Sequence, residues 1–243
     1  MVEWPMVQWL MVVVSILAFV AAPPALAAGP LDGAVIVIDP GHGGGNGAEL
    51  SRQVPNGRGG TKDCGTTGTM TDAGLPEHVF TWDVANLLGA QLRQLGATVV
   101  MTRTDDAGSA PCVDARAAFA NDQHPAAIIS IHADGGPASG HGFHVNYSSP
   151  PLNAAQGEPS IRLATDMRNA LVASGVAEST YLGTDGMYGR SDLAGLNLAE
   201  YPAVLVELGN MRNSDDAARM TSDQGRADYA AALVNGTVAY LGG

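Results

Sequence analysis

Four short apolar runs, each closing on polar residues, constrain this chain more than any other feature. They are "VIVID" (35–39), "ATVVMTR" (97–103), "AAIISIHAD" (126–134) and "AVLVELGN" (203–210). A continuous, largely β-branched run of this length is what a strand covered on both faces requires, because neither face meets water. Segments of helical period separate the runs. In "PEHVFTWDVANLLGAQLRQLG", Val79, Val84, Leu87, Leu88, Leu92 and Leu95 form an apolar stripe, with Pro76 suited to the first turn and Gly96 to the stop. "CVDARAAFAND", residues 161–174 and a tail over 222–241 read as further helices, and "GFHVNYS" reads as another strand. This alternation predicts an α/β fold: one domain built on a mostly parallel, twisted sheet with helices on both faces. The stretch "YLGTDGMYGRSDLAGLNLAEY" shows neither period and reads as irregular.

Residues 1–28 stand apart. An apolar stretch from Trp9 to Val20 precedes "APPALAAGP", where Ala25 and Ala27 satisfy the small-x-small pattern of a secretory cleavage site. We read 1–28 as a signal peptide and 29–243 as the folded domain. The leader carries Glu3 and no Lys or Arg, so retention as an anchor is the alternative, although the stretch is short for a span. Export to the periplasm, cell envelope or exterior is therefore expected, without stable membrane insertion once the leader is removed. In such a compartment the two cysteines, Cys64 and Cys112, are expected to form a disulfide. A net charge of −12, with a single lysine, argues against nucleic acid or an anionic membrane surface as partner.

The chemistry-bearing residues stand at element ends. His42 follows the first strand within "DPGHGGG", His132 closes "IISIH" and Glu207 closes "AVLVE". Parallel strands direct their carboxyl ends to one side of a sheet, where open α/β folds place ligand sites, so these three can converge. Glu77, in the first turn of the long helix, can join them. Two imidazoles and two carboxylates suit a metal hydrolase, since two His and one Glu with an open water position is a catalytic zinc arrangement and the fourth group can serve as general base. Plainer readings exist for each residue alone. "GHGGGNG" could cradle an anion on its backbone N–H groups; His132 could be a hydrogen-bonded core histidine. Glu77 could simply favour a helix N-terminus, and Glu207 could pair with Arg190 or Arg212.

The blocks "VIVIDPGHGG", "GLPEHVF", "ISIHAD" and "PAVLVELGN", in this order and spacing, resemble the zinc-dependent N-acetylmuramoyl-L-alanine amidases that cut bacterial cell-wall peptidoglycan. The resemblance spans residue 34 to the C-terminus. By position it implies His42, Glu77 and His132 as ligands of Zn2+ and Glu207 as the catalytic acid/base. The implied reaction hydrolyses the amide between the lactyl group of N-acetylmuramic acid and L-alanine of the stem peptide, in peptidoglycan or muropeptide fragments, and a monomer is expected. Two other readings stay in view, a zinc peptidase acting within the stem peptide and an inactive wall-binding protein. The first lacks the H-E-x-x-H signature. No wall-binding repeat, basic patch or inhibitory helix is legible, which makes soluble fragments the expected preferred substrate.

Two departures from the family pattern stand out. After Glu207 the chain reads Gly209, Asn210, Met211, Arg212, Asn213, with polar groups where an apolar anchor is usual. Residues 43–75 also form a long Gly- and Thr-rich insert, with a hairpin signal at Asn56-Gly57, expected to overhang the cleft. His141 and His144, three apart on a strand, would face opposite ways and are expected at the surface or rim. His78 is expected not to be a ligand, His124 lies in a loop and is uninformative, and Asp39 is expected to cap the glycine turn or orient His42, with Asp134 in a similar part.

Overall fold

The computed structural model describes residues 1–3, 6, 29–45 and 47–242; the proposed leader, apart from residues 1–3 and 6, lies outside them. The β-branched runs form four adjacent strands of a six-stranded sheet. Its strands are β1 (Val35–Pro40), β4 (Thr98–Met101), β5 (Ala127–Asp134), β6 (His144–Ser148), β7 (Met187–Arg190) and β8 (Ala203–Asn210), in the order β4-β1-β5-β8-β6-β7. The first four in that order run parallel; β6 is antiparallel to β8, and β7 follows β6. A separate hairpin, β2 (Gln53–Pro55) and β3 (Thr61–Asp63), rises where Asn56-Gly57 signalled it. Among the described residues no helix is long and apolar enough to cross a membrane.

Side chains alternate across the sheet, and this alternation positions the site. Ile36, Ile38, Ile129, Ile131, Val204 and Val206 bury themselves in the larger core. That core is closed by α1 (Glu77–Gln94), α3 (Glu158–Ala173) and α6 (Asp223–Gly242), with α6 packed on both other helices. Val37, Ile128 and Ala203 face the other way, onto α2 (Val113–Asp122) and α4 (Ala194–Asn197) through Ala120 and Leu196. On this second face the next same-side residues toward the strand ends are Asp39, Ser130, His132 and Glu207. All four line a cavity.

Several sequence expectations are corrected in detail. The buried stripe of α1 is Phe80, Val84, Leu88 and Leu92, at strict i,i+4 spacing; Leu87 lies outside it and is exposed. The stretch read as irregular contains β7 and α4, a four-residue edge strand with an internal glycine and a single helical turn, both too short to carry a period. The tail read over 222–241 is α6, and a further short helix without an expectation, α5 (Ser214–Thr221), precedes it, capped by the Asn213 side chain accepting from the N–H groups of Asp215 and Asp216. After Glu207 the apolar anchor is Met211, which is fully buried, while Asn210 donates to the carbonyls of Pro137 and Gly140.

Cys64 and Cys112 are joined, tying the hairpin to the start of α2 across 48 positions. The hairpin's tip is held on the far side, where Arg58 donates to Asn197 Oδ1, Ser148 Oγ and the Pro150 carbonyl. Lys62 donates to the Asp192 carbonyl. The insert thus bridges the open half of the second sheet face. Replacing both cysteines with serine is expected to lower unfolding free energy by about 4 kcal/mol, the chain-entropy value for a loop of this size. Urea unfolding curves of the two proteins check this, and a loss below about 1 kcal/mol would show that the Arg58 contacts restrain the insert unaided.

Candidate metal centre

Glu77 is the hub. It opens α1, where the helix N-terminus favours a carboxylate. Its Oε1 lies 3.0 Å from His42 Nε2 and 3.0 Å from His132 Nδ1, and accepts the Ala133 N–H at 3.1 Å. Its Oε2 accepts the Thr69 N–H at 3.0 Å. The ligand atoms of His42, Glu77 and His132 all lie within 4.8 Å of one another. The two imidazoles meet edge to face, with centroids 4.8 Å apart.

The tautomer of His42 follows from its neighbour. Its Nδ1 stands 2.9 Å from the Thr66 carbonyl, which can only accept, so Nδ1 carries the hydrogen. In the neutral ring Nε2 then presents a lone pair to a carboxylate oxygen at contact distance. That arrangement is repulsive unless a proton or a metal cation lies between the donors, so this donor set fits a divalent ion. Burial raises the Glu77 carboxyl, yet the hydrogen bonds and charges of His132 and His42 outweigh it and hold the group well below the carboxylate range. Burial lowers His42 but Glu77 prevails and raises it, whereas at His132 burial prevails and the ring is pushed down.

Glycine is required where backbone approaches this cluster. A Cβ on Gly41 would meet the His132 ring at 2.5 Å. At Gly68, whose φ is +75°, a Cβ would lie 2.6 Å from Glu77 Oε2. The loop before His42 is clamped by its carbonyls: Arg103 and Arg116 donate to Pro40 O, and Thr81 donates to Gly41 O.

Glu207 stands beside His132 in parallel register on the adjacent strand, both on the cavity face. It makes no ion pair among the described residues; Arg190 binds Asp192 and Arg212 binds Asp72. Burial first, then the charges of Glu77 and Asp134, raise its carboxyl well above the usual range. The cavity it shares with the three-residue cluster has a volume of about 360 Å³, and its lining includes the apolar Ala117, Ala120, Ile128 and Leu196. Leu50, Lys62 and Asp63 of the insert also line it, so the insert reaches the cleft as expected.

Among the other polar residues, Asp39 and His144 depart from the sequence reading. Asp39 does not touch His42. Its Oδ1 takes Arg116 at 3.0 Å and Thr102 at 2.6 Å, and its Oδ2 takes Ser130 at 2.8 Å, so it anchors the cavity floor. Asp134 accepts from the Tyr181 hydroxyl and the Gly135 N–H. His78 pairs with Asp106 and His124 contacts Tyr201, both outside the cluster. His141 is half-buried near the rim, but His144 is 1 % exposed, inside the sheet face beside Glu207. The Thr66 carbonyl and Thr69 N–H had no sequence signal, because every residue carries such groups.

Residues 36–238 match the family described as N-acetylmuramoyl-L-alanine amidase. The chain belongs to this family. It is 55% identical over 226 residues to the N-acetylmuramoyl-L-alanine amidase Rv3717 of Mycobacterium tuberculosis, covering 93% of this chain and 92% of that one. The amidase Ami1 crystal structure from Mycobacterium smegmatis superposes with a TM-score of 0.86 at 55% identity, covering 87% of this chain and 98% of the other. Ami1 from Mycobacterium abscessus gives a TM-score of 0.86 at 60% identity, covering 86% and 99%. These matches bear out the amidase resemblance drawn from the motif blocks and the single α/β domain drawn from the alternation of strands and helices.

The floor pair yields a prediction for this amidase. Burial raises the Asp39 carboxyl, but Arg116, Thr102 and Ser130 outweigh burial and hold it below 3.8. A folded-state pKa below the unfolded one contributes stability above the unfolded value, lost as pH falls through the folded value. Arg116→Met removes the counter-charge, leaving burial to raise Asp39 against the Thr102 and Ser130 hydrogen bonds. The variant is expected to lose about 3 kcal/mol at neutral pH, and the gap from wild type should narrow on acidification toward about pH 4. Urea unfolding at both pH values checks it; a gap that widens in acid would refute the pairing.

Proposed function

We propose that this chain is a zinc-dependent N-acetylmuramoyl-L-alanine amidase of the bacterial cell envelope. The substrate is peptidoglycan or its muropeptide fragments, and the bond cleaved joins the lactyl carbonyl of N-acetylmuramic acid to the nitrogen of L-alanine. The observation that carries this reading is the convergence of His42 Nε2, His132 Nδ1 and Glu77 Oε1, beside a buried carboxylate in a cavity. Family membership and the relatives' printed activity support it. The small-x-small pattern at Ala25 and Ala27 supports export. The Cys64–Cys112 cross-link agrees with it, since disulfides persist in the oxidising compartments where such a substrate lies.

His42, Glu77 and His132 would hold the ion. Bound there, zinc supplies Lewis acidity that polarises an amide carbonyl and acidifies water. The chain's own groups do the rest. Glu77 brings both imidazoles to one point, and the Thr66 carbonyl keeps the His42 lone pair on Nε2. Glu207, as carboxylate, takes a proton from the attacking water and returns it to the L-alanine nitrogen. Water oxygen joins the lactyl carbon, the C–N bond breaks, and the products are a free lactyl carboxylate and a stem peptide with a new amino terminus. A carboxyl whose affinity for protons is raised by burial suits that two-way transfer near neutrality.

Glu207→Ala is expected to retain about one zinc per chain and to lose about 10²- to 10⁴-fold in kcat on muropeptides. Metal analysis and a chromatographic assay check the two halves. Mass spectrometry of the wild-type digest should show peptide-free sugars and intact stem peptides; shortened stem peptides would instead support the peptidase reading. A chelator should abolish turnover and added zinc restore it, whereas chelator-resistant turnover would remove the metal from the account.

A further inference from the structure

Three buried polar atoms near the cleft have no hydrogen-bond partner among the described residues: His144 Nδ1, Asn146 Oδ1 and Glu207 Oε2. Sheet register makes them neighbours. On the antiparallel pair of β6 and β8, His144 lies across from Glu207 and Asn146 across from Leu205. Directly opposed side chains share a face with Cβ atoms about 5 Å apart, and residues i and i+2 share it too. Phe143 and Val145, of the other parity, are in the main core, which leaves His144 and Asn146 on the face that carries Glu207.

The His144 ring is confined there. Tyr181 and Tyr188 meet it edge-on, with centroids 6.3 and 5.9 Å away. Both rings flank a side chain that is 1 % exposed, and its Nδ1 is buried without a partner among the described residues. A buried polar atom left unpaired costs about 1–3 kcal/mol, so atoms this close are under pressure to pair.

We propose that His144 is a positioning residue for Glu207: its Nδ1–H donates to Glu207 Oε2, directly after a small side-chain rotation or through one water also held by Asn146 Oδ1. Fixing Oε2 turns the other carboxylate oxygen toward the three-residue cluster and stops rotation about the last side-chain bond. The charged and titratable groups facing the imidazole are Asp134, Arg190, Tyr181, Tyr188 and Glu207. Burial, with Asp134 opposing and Arg190 assisting, pushes the ring down to about 4, so it remains neutral with a single N–H to give. The inference rests on the reading of Glu207 as the proton-transfer group.

The test compares His144→Phe, which keeps a ring without a donor, with His144→Gln, which restores an amide donor. His144→Phe should lower kcat about 10- to 100-fold, the usual cost of removing a supporting hydrogen bond at such a site, with KM and zinc affinity within about twofold. His144→Gln should recover most of that loss. In the metal-free protein, the ¹⁵N resonances of His144 should report hydrogen on Nδ1 and shift on Glu207→Gln. An unchanged kcat in His144→Phe, an equal loss in both variants, or ¹⁵N resonances indifferent to Glu207→Gln would each overturn the inference. Full turnover by Glu207→Gln would instead remove the underlying reading of Glu207, so the two failures are distinct.

Discussion

Two imidazole nitrogens pressed against one carboxylate oxygen are the contact on which the rest of this structure depends. His42 Nε2 and His132 Nδ1 share Glu77 Oε1 at 3.0 Å, an arrangement that requires positive charge between the donors. Holding it demands that three remote segments be fixed together. The carbonyl clamps on Pro40 and Gly41, the Thr66 carbonyl on His42 and the Thr69 and Ala133 N–H groups on Glu77 all serve that end. Where the backbone comes closest to the rings, at Gly41 and Gly68, no side chain has room.

The sheet accounts for how the cluster acquires a working cavity. One face is closed by three long helices and carries most of the apolar burial. The other is covered near the start of the parallel strands by α2 and α4, while its outer half is bridged by the insert between His42 and Glu77. The insert is joined to α2 through Cys64–Cys112 and to the opposite wall through Arg58. Both walls therefore bear on the segment, 65–69, that supplies backbone partners to His42 and Glu77. Stability of the insert and geometry of the cluster are coupled through a few residues of chain.

The charged groups divide between the two tasks. Asp39 and Arg116 neutralise each other beneath the cavity, together with Thr102 and Ser130, so a carboxylate next to the cluster is given over to structure. Glu207, without a cationic partner among the described residues, keeps a raised affinity for protons. Neighbouring carboxylates on one sheet face thus acquire opposite properties from their surroundings, as a site that both binds charge and moves protons requires.

Much of this was legible in the residues alone. Continuous apolar runs ending in His132 and Glu207, a glycine turn carrying His42 and a helix start carrying Glu77 implied a parallel sheet with four polar side chains at one edge, because strand period and helix-end electrostatics are local properties. The amidase blocks and the even cysteine pair were equally plain. What local pattern could not decide was which atoms meet. The true stripe of α1, the short β7 and α4, the role of Met211, the engagement of Asp39 by Arg116 and the burial of His144 all depend on which strand lies beside which. Strand β6, between β8 and β7, runs antiparallel to β8, and that reversal sets His144 opposite Glu207. Partner choice across a sheet is fixed by packing of the whole domain, so only the tertiary structure could settle it.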